Sequence, residues 1–180
     1  MRVVAIDGGA ASGKSTLADA VCAARPGSAL VRTDELMDGW GDQLGYWARL
    51  RGEVLEPLRR SGRADVPHYD WVRGGFGATI ELLAPELLLV EGFGSIAACA
   101  EAADLRVFVD VPRVERERRW IVRDGRWQPE WTSWLDLEDL VWLTERPAAD
   151  VVVPQEVGTA AALAVILRRL DSASRARWTP

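Results

Sequence analysis

The chain has 180 residues, 48% of them hydrophobic, and a formal net charge of -5, enough to bury one sizeable core. The acidic balance argues against a general nucleic-acid or anionic-membrane surface. No apolar run approaches the roughly 20 residues of a bilayer-spanning helix, since even residues 82–90 are interrupted by Pro85 and Glu86. Cys22 and Cys99 are too few for a disulfide framework, and residues 1–7 lack a signal-peptide layout, so a cytoplasmic protein is expected.

In chain order, residues 3–6 read as a first strand, followed by a glycine-rich turn and a helix over residues 14–24 that Pro26 and Gly27 stop. Residues 29–31 form a second short strand. Leu44, Trp47, Leu50, Val54, Leu55 and Leu58 then recur at spacings of three and four, the pattern of an amphipathic helix that Pro57 kinks or restarts and Ser61 and Gly62 end. Residues 87–90 and 105–109 are unbroken apolar runs of the kind covered on both faces of a parallel sheet. Pro112 suits a helix start, and an arginine-rich helix follows to about residue 124. Residues 151–153 give a last strand and 159–170 a last helix, with a disordered tail over 172–180. This alternation predicts an α/β protein, one domain over residues 1–180, with a mainly parallel sheet between two helical layers. Ligands of such sheets bind at the carboxyl ends of the strands.

The most specific local signal lies directly after the first strand. Gly8, Gly9, Ala10, Ala11, Ser12, Gly13, Lys14 and Ser15, with Thr16 next, match the Walker A spacing G-x-x-x-x-G-K-[ST] without a mismatch. Small residues let the backbone wrap a phosphate chain with its N–H groups inward, and the helix starting at Lys14 adds its positive end. Among the 22 basic residues Lys14 is the only lysine, which a mere packing turn would not require. Lys14 is expected to reach the β- and γ-phosphates of ATP, and the Ser15 hydroxyl to ligate Mg2+.

Two acids follow strands and should emerge on the same rim. Asp34 is assigned as the base that takes the acceptor's proton, and Glu91 as a magnesium-side ligand acting through water; Asp7 reads as a carboxylate supporting the loop. Arg116, Arg119 and Arg123 share one helical face, with Arg113, Arg118 and Arg126 nearby. They suit a lid, over about residues 113–135, that grips the phosphates, with Arg119 the catalytic arginine. The plainer alternative is a solvated face paired to Glu115 and Glu117. Trp127, Trp131 and Trp134 follow at helical spacing and suit packing of the lid onto the domain, or stacking on a ligand. His68, the only histidine, is expected to hydrogen-bond at the surface.

The Walker loop, Asp34, the Val66-Pro67-His68-Tyr69-Asp70-Trp71 segment, Leu89-Val90-Glu91-Gly92-Phe93, Val109-Asp110 with Arg116, Arg119, Arg123 and Asp124, and Ala149-Asp150-Val151-Val152-Val153 occur in the order found in the uridine kinase family of P-loop kinases, which the chain resembles over nearly its whole length. Glu91-Gly92-Phe93 also resembles the related nicotinamide riboside kinases. The resemblance implies a P-loop NTPase fold with a short lid. It also implies ATP with Mg2+, and phosphorylation of a small-molecule hydroxyl; the acidic composition, not the resemblance, is what points to no nucleic-acid and no membrane partner. It places Asp34 as acceptor-side base, Tyr69 and Asp70 in an acceptor segment spanning about residues 34–76, and Arg116, Arg119 and Arg123 on the phosphate-facing helix. Where that family carries a base-reading histidine this chain has Gly74 and Gly75, so the acceptor stays open between a nucleoside and another metabolite or antibiotic. A nucleoside monophosphate kinase stays open too, with Arg49, Arg59, Arg60 and Arg63 as phosphate holders. A regulatory ATPase is the rival of a different class. A GTPase is excluded by the absence of a second lysine for the Asn-Lys-x-Asp guanine-reading motif.

Overall fold

The computed structural model describes residues 1–125 and 130–176. Five parallel strands form the central sheet: β1 (Arg2–Asp7), β2 (Ser28–Arg32), and three that follow two small hairpins, β7 (Leu87–Glu91), β8 (Leu105–Asp110) and β9 (Val151–Pro154), in the order β2-β7-β1-β8-β9. The hairpins are β3 (Arg63–Val66) with β6 (Ile80–Leu83), and β4 (Tyr69–Asp70) with β5 (Gly75–Phe76). The sequence pattern did not separate them, because their strands are short and β6 is mostly exposed. The expected three-layer α/β architecture is present.

Because side chains alternate along a strand, each sheet strand feeds two cores. Val4, Ile6, Leu87, Leu89, Val107 and Val109 pack on one side against Leu17 and Val21 of α1 (Lys14–Ala24) and Ile166 and Leu170 of α7 (Thr159–Ala176). Val3, Ala5, Leu88, Val90 and Phe108 face the opposite layer. That layer holds α2 (Tyr46–Arg49), α3 (Glu56–Ser61), α4 (Ser95–Cys99) and α6 (Glu130–Ala148), whose Trp131, Trp134 and Leu135 join the core. α5 (Arg113–Asp124) begins directly after Pro112, as the sequence predicts. α7 runs through Ala176, so the helix continues well into the tail expected to be disordered, and residues 177–180 lie outside the described residues.

Between α2 and α3 the helical path is continuous, widening to a π-turn at Leu50–Leu55. The widening falls just before Pro57, whose missing N–H and bulky ring break the regular ladder, so the chain adapts without a sharp restart. Among the described residues no helix is long and apolar enough to cross a membrane.

The larger difference from expectation is α6. In place of a short lid ending near residue 135 stands a helix of 19 residues. Its inward face is Trp131, Trp134, Leu135, Glu138 and Glu145, with Trp142 partly buried. Their spacing is helical, but two members are glutamates, so the apolar period that marks a helix in sequence is broken.

Candidate active site

Register carries the chemistry to one rim. Ile6 lies beside Glu91, Arg32 beside Glu91, and Asp7 beside Phe108, so the carboxyl ends of β1, β2, β7 and β8 meet where the Gly8–Lys14 loop turns into α1. Asp7 is fully buried below the loop. Its Oδ1 accepts from Gly8 N at 2.6 Å and Gly94 N at 3.1 Å, and its Oδ2 from Ile96 N at 3.1 Å. It thus supports the loop from beneath, as its position suggested. Burial, and after it the charge of Glu145 on α6, push the Asp7 carboxyl well above its ordinary range.

Above the loop, Lys14 Nζ stands 3.7 Å from Glu91 Oε1, and Ser15 Oγ donates to the same oxygen at 3.1 Å. Arg32 holds the other oxygen, Oε2, at 3.2 Å. Burial by itself would lower the Lys14 pKa, but the negative charges of Glu91, Asp34, Glu138 and Asp7 outweigh it and hold the ammonium above its ordinary value. Lys14 is therefore a cation throughout the physiological range. Gly92 explains why a glycine must follow the acid: at φ +147° a side chain is strained, and a Cβ would run into Thr33. The Ser15 hydroxyl and the Glu91 carboxylate are hard oxygen donors one hydrogen bond apart, a set that fits a magnesium ion retaining several waters.

The loop opens onto a cavity of about 490 Å³ lined by Ala10, Ala11, Gly13, Lys14, Ser15 and Thr16 on one side. Asp34, Arg119 and Arg123 also line it, as do Met37, Trp40, Trp71, Phe93, Trp120, Trp134 and Glu138. Arg119 Nη1 donates to Ser12 O at 3.4 Å and Arg119 Nε to Glu115 at 2.7 Å. Arg123 is paired to Asp124, which raises its pKa, and the charge of Asp34 adds to the effect. Arg118 and Arg119 together hold Glu115 down to about 2.

Arg116 is placed differently from the phosphate contact expected of it. It is fully buried, donating through Nε to Val111 O at 3.1 Å and through Nη1 to Glu138, with its guanidinium 4.5 Å from the Trp142 ring centroid. It sits behind the loop, where a Cβ on Gly9 would collide with it. The helical spacing of the three arginines is real, but only Arg119 and Arg123 line the cavity. Arg113 pairs with Glu117, Asp136 and Asp139, and Arg118 with Glu115, which matches the solvated-face alternative. Arg126 and Trp127 lie outside the described residues.

Tyr69 and Asp70 also differ from the expectation that placed them in the acceptor site. Asp70 accepts from Val72 N and Arg73 N, closing its own turn, and Tyr69 backs Trp71 with ring centroids 4.9 Å apart. The neighbouring Trp71 is the residue that lines the cavity. His68 faces Glu35 at 3.7 Å, near the surface.

Several solved structures share this architecture. The "possible uridine kinase" of Bacillus stearothermophilus is 20% identical, with a TM-score of 0.61 over 84% of this chain and 88% of that one. A sugar kinase from a Janibacter species is 16% identical, with a TM-score of 0.64 over 95% of each chain. A shikimate kinase from Acinetobacter baumannii is 17% identical, with a TM-score of 0.54 over 97% of this chain and 94% of that one. The fold is that of the P-loop kinases. No protein-family profile and no curated protein matches the sequence.

On the other flank of the P-loop lies a second cavity, of about 250 Å³, between Ser12, Gly13, Thr16 and Arg119 and the end of β9 with the turn that follows it (Val153, Pro154, Gln155, Val157, Gly158 and Thr159). Sequence reading missed it, because the wall facing the Walker loop comes from segments far apart in the chain with no motif of their own. It also missed Glu138, completely buried, whose Oε1 accepts both Ala10 N and Trp134 Nε1 at 2.7 Å. The helical offset of Glu138 from Trp134 was the one available signal.

Proposed function

We propose that the chain is a Mg2+- and ATP-dependent kinase that moves the γ-phosphoryl group onto a hydroxyl of a small molecule. The reading is carried by the meeting, on one cavity, of a Walker loop, its lysine and serine, Glu91, two open arginines and the carboxylate of Asp34. Loop N–H groups and Lys14 cradle the triphosphate, and the smaller cavity beside Thr16 and residues 153–159 suits the adenine end. Ser15, with Glu91 through water, would hold magnesium, which neutralises the phosphate oxygens when bound. Asp34 takes the proton of the acceptor hydroxyl as its oxygen bonds to the γ-phosphorus and the bond to the leaving ADP breaks. Arg119 and Arg123 face the charge spread over the transferring group.

The uridine kinase likeness and the kinase neighbours support this class. An acceptor that itself carries a phosphate finds less support. Arg49 is bonded to Leu36 O and Asp42, Arg59 to Ala102 O and Arg63 to Asp65 and Glu81, and neither these nor Arg60 lines the main cavity.

Calorimetric titration with ATP, with and without magnesium, tests the donor site. Lys14→Ala should lose Mg·ATP affinity while keeping its thermal midpoint, because Glu91 retains Arg32 and Ser15 as partners. Unchanged affinity in the variant would remove the cradle assignment.

A further inference from the structure

The kinase reading leaves the acceptor unnamed, and the wall opposite the P-loop speaks to its chemistry. Apart from Asp34, the donor-side arginines and Glu138, that wall is Met37, Trp40, Trp71, Phe93, Trp120 and Trp134. The aromatic rings form a connected series. Phe93 meets Trp134 with centroids 5.6 Å apart, Trp134 meets Trp40 at 5.6 Å, Trp40 meets Trp71 at 5.3 Å, and Tyr69 braces Trp71 from behind.

The polar edges of three of the four indoles, Trp71, Trp120 and Trp134, are already taken up within the protein. Trp134 Nε1 donates to Glu138 at 2.7 Å, Trp71 Nε1 to Asp34 O at 3.2 Å, and Trp120 Nε1 to Asp124 at 2.7 Å. Glu138 is itself saturated by Ala10 N, Trp134 and Arg116. What these three indoles offer a ligand is carbon surface. Among the described residues the acceptor half therefore presents one available acid, the carboxylate of Asp34, beside a largely apolar wall.

A polyhydroxylated acceptor fits such a wall poorly, because each hydroxyl stripped of water and left unpaired lowers affinity about tenfold or more. An aromatic ring bearing a single reactive alcohol fits it well. Trp40 and Trp71 line the cavity and stay 53% and 41% exposed, so each leaves indole surface on which an aromatic ring can stack.

Resting on the kinase reading, we propose that the acceptor is an aromatic or heteroaromatic alcohol without a sugar, its ring seated among Trp40, Trp71, Trp134 and Phe93 and its hydroxyl delivered to Asp34. The alcohol oxygen bonds to the γ-phosphorus of ATP, its proton passes to Asp34, and ADP departs with the electrons of the broken P–O bond.

The test uses the full chain with Mg·ATP and four probes: indole-3-ethanol, 3-pyridinemethanol, uridine and D-fructose. ADP release and phosphorylated product are followed, with Mg·ATP affinity measured separately by calorimetry. Either aryl alcohol should give a higher kcat/KM than uridine or fructose. Trp71→Leu should raise its KM about tenfold, with Mg·ATP affinity unchanged. Higher kcat/KM on uridine or fructose overturns the proposal. So does an unmoved KM in both Trp71→Leu and Trp40→Leu, and so does inertness of both aryl alcohols while Mg·ATP still binds. Loss of Mg·ATP binding by the parent protein instead strikes the kinase reading itself.

Discussion

Replacing Arg116 by alanine separates two roles that its place in the sequence does not distinguish. As a phosphate ligand, Arg116 would matter to nucleotide affinity and little to stability. As the buried partner of Glu138, it would matter mostly to stability. The structure gives it no exposed surface, hydrogen bonds to Val111 O at 3.1 Å and to Glu138, a contact to Asp139 at 3.4 Å, and a cation–π contact with Trp142. Removing one member of a buried ion pair costs about 3–5 kcal/mol, because the other is left uncompensated. Here burial already pushes Glu138 above its ordinary range against the pull of Arg116, so the orphaned acid can take up a proton, and the lower end, about 3 kcal/mol, is expected. With a urea dependence of about 2 kcal/mol per molar, the midpoint should fall by about 1.5 M. Equilibrium unfolding followed by tryptophan fluorescence reads this directly. A midpoint within about 0.3 M of the parent, together with a tenfold or larger loss of Mg·ATP affinity, would refute the burial argument and restore the phosphate role.

Other expectations follow from the same geometry. Asp34→Asn should lower kcat by about 10²–10⁴ with little change in Mg·ATP affinity, measured by single-turnover kinetics and calorimetry; an equal fall in affinity would make Asp34 a metal-side residue. Asp7 and Glu145 both have raised pKa values in the folded chain, chiefly from burial. The folded state therefore holds protons that the unfolded chain releases above about pH 4, and the stability tied to them declines as pH climbs toward the folded values. Glu145→Gln should accordingly gain urea midpoint over the parent as the buffer is moved from about pH 5 to about pH 8, and a constant difference would count against a coupled pair. Burial, and then the charge of Asp7, push the Cys99 thiol up to about 12, so under native conditions a thiol reagent should modify Cys22 and spare Cys99; rapid labelling of both would contradict that packing.

Much of the donor half is legible in the chain because its determinants are local. The strand, the glycine turn, Lys14 and the helix after it are contiguous, and Glu91 ends an unbroken apolar run that only a central parallel strand would carry. What local pattern does not supply is rotation about a helix axis. Arg116, Arg119 and Arg123 share a helical spacing, yet the first lies inside the protein and the others at the cavity. α6 was hidden for a related reason. Its inward stripe mixes indoles and a leucine with two carboxylates, and a buried glutamate reads as a surface residue until its partners, Arg116, Ala10 N and Ala97 N, are known. On the acceptor side, family likeness brought the reading to Tyr69 and Asp70, two and one residues short of the tryptophan that lines the cavity.

The two buried glutamates of α6, Glu138 and Glu145, also tie the halves of the site together. Glu138 holds Ala10 of the P-loop and Trp134 of the aromatic wall with the same oxygen, and Glu145 fastens the helix further along at Ala97. On the kinase reading, a ligand that shifts the Trp134 indole would also move Ala10 of the P-loop, coupling the two binding events through Glu138. Thermodynamic reciprocity then requires that whatever factor the acceptor adds to nucleotide affinity, the nucleotide returns to the acceptor in equal measure.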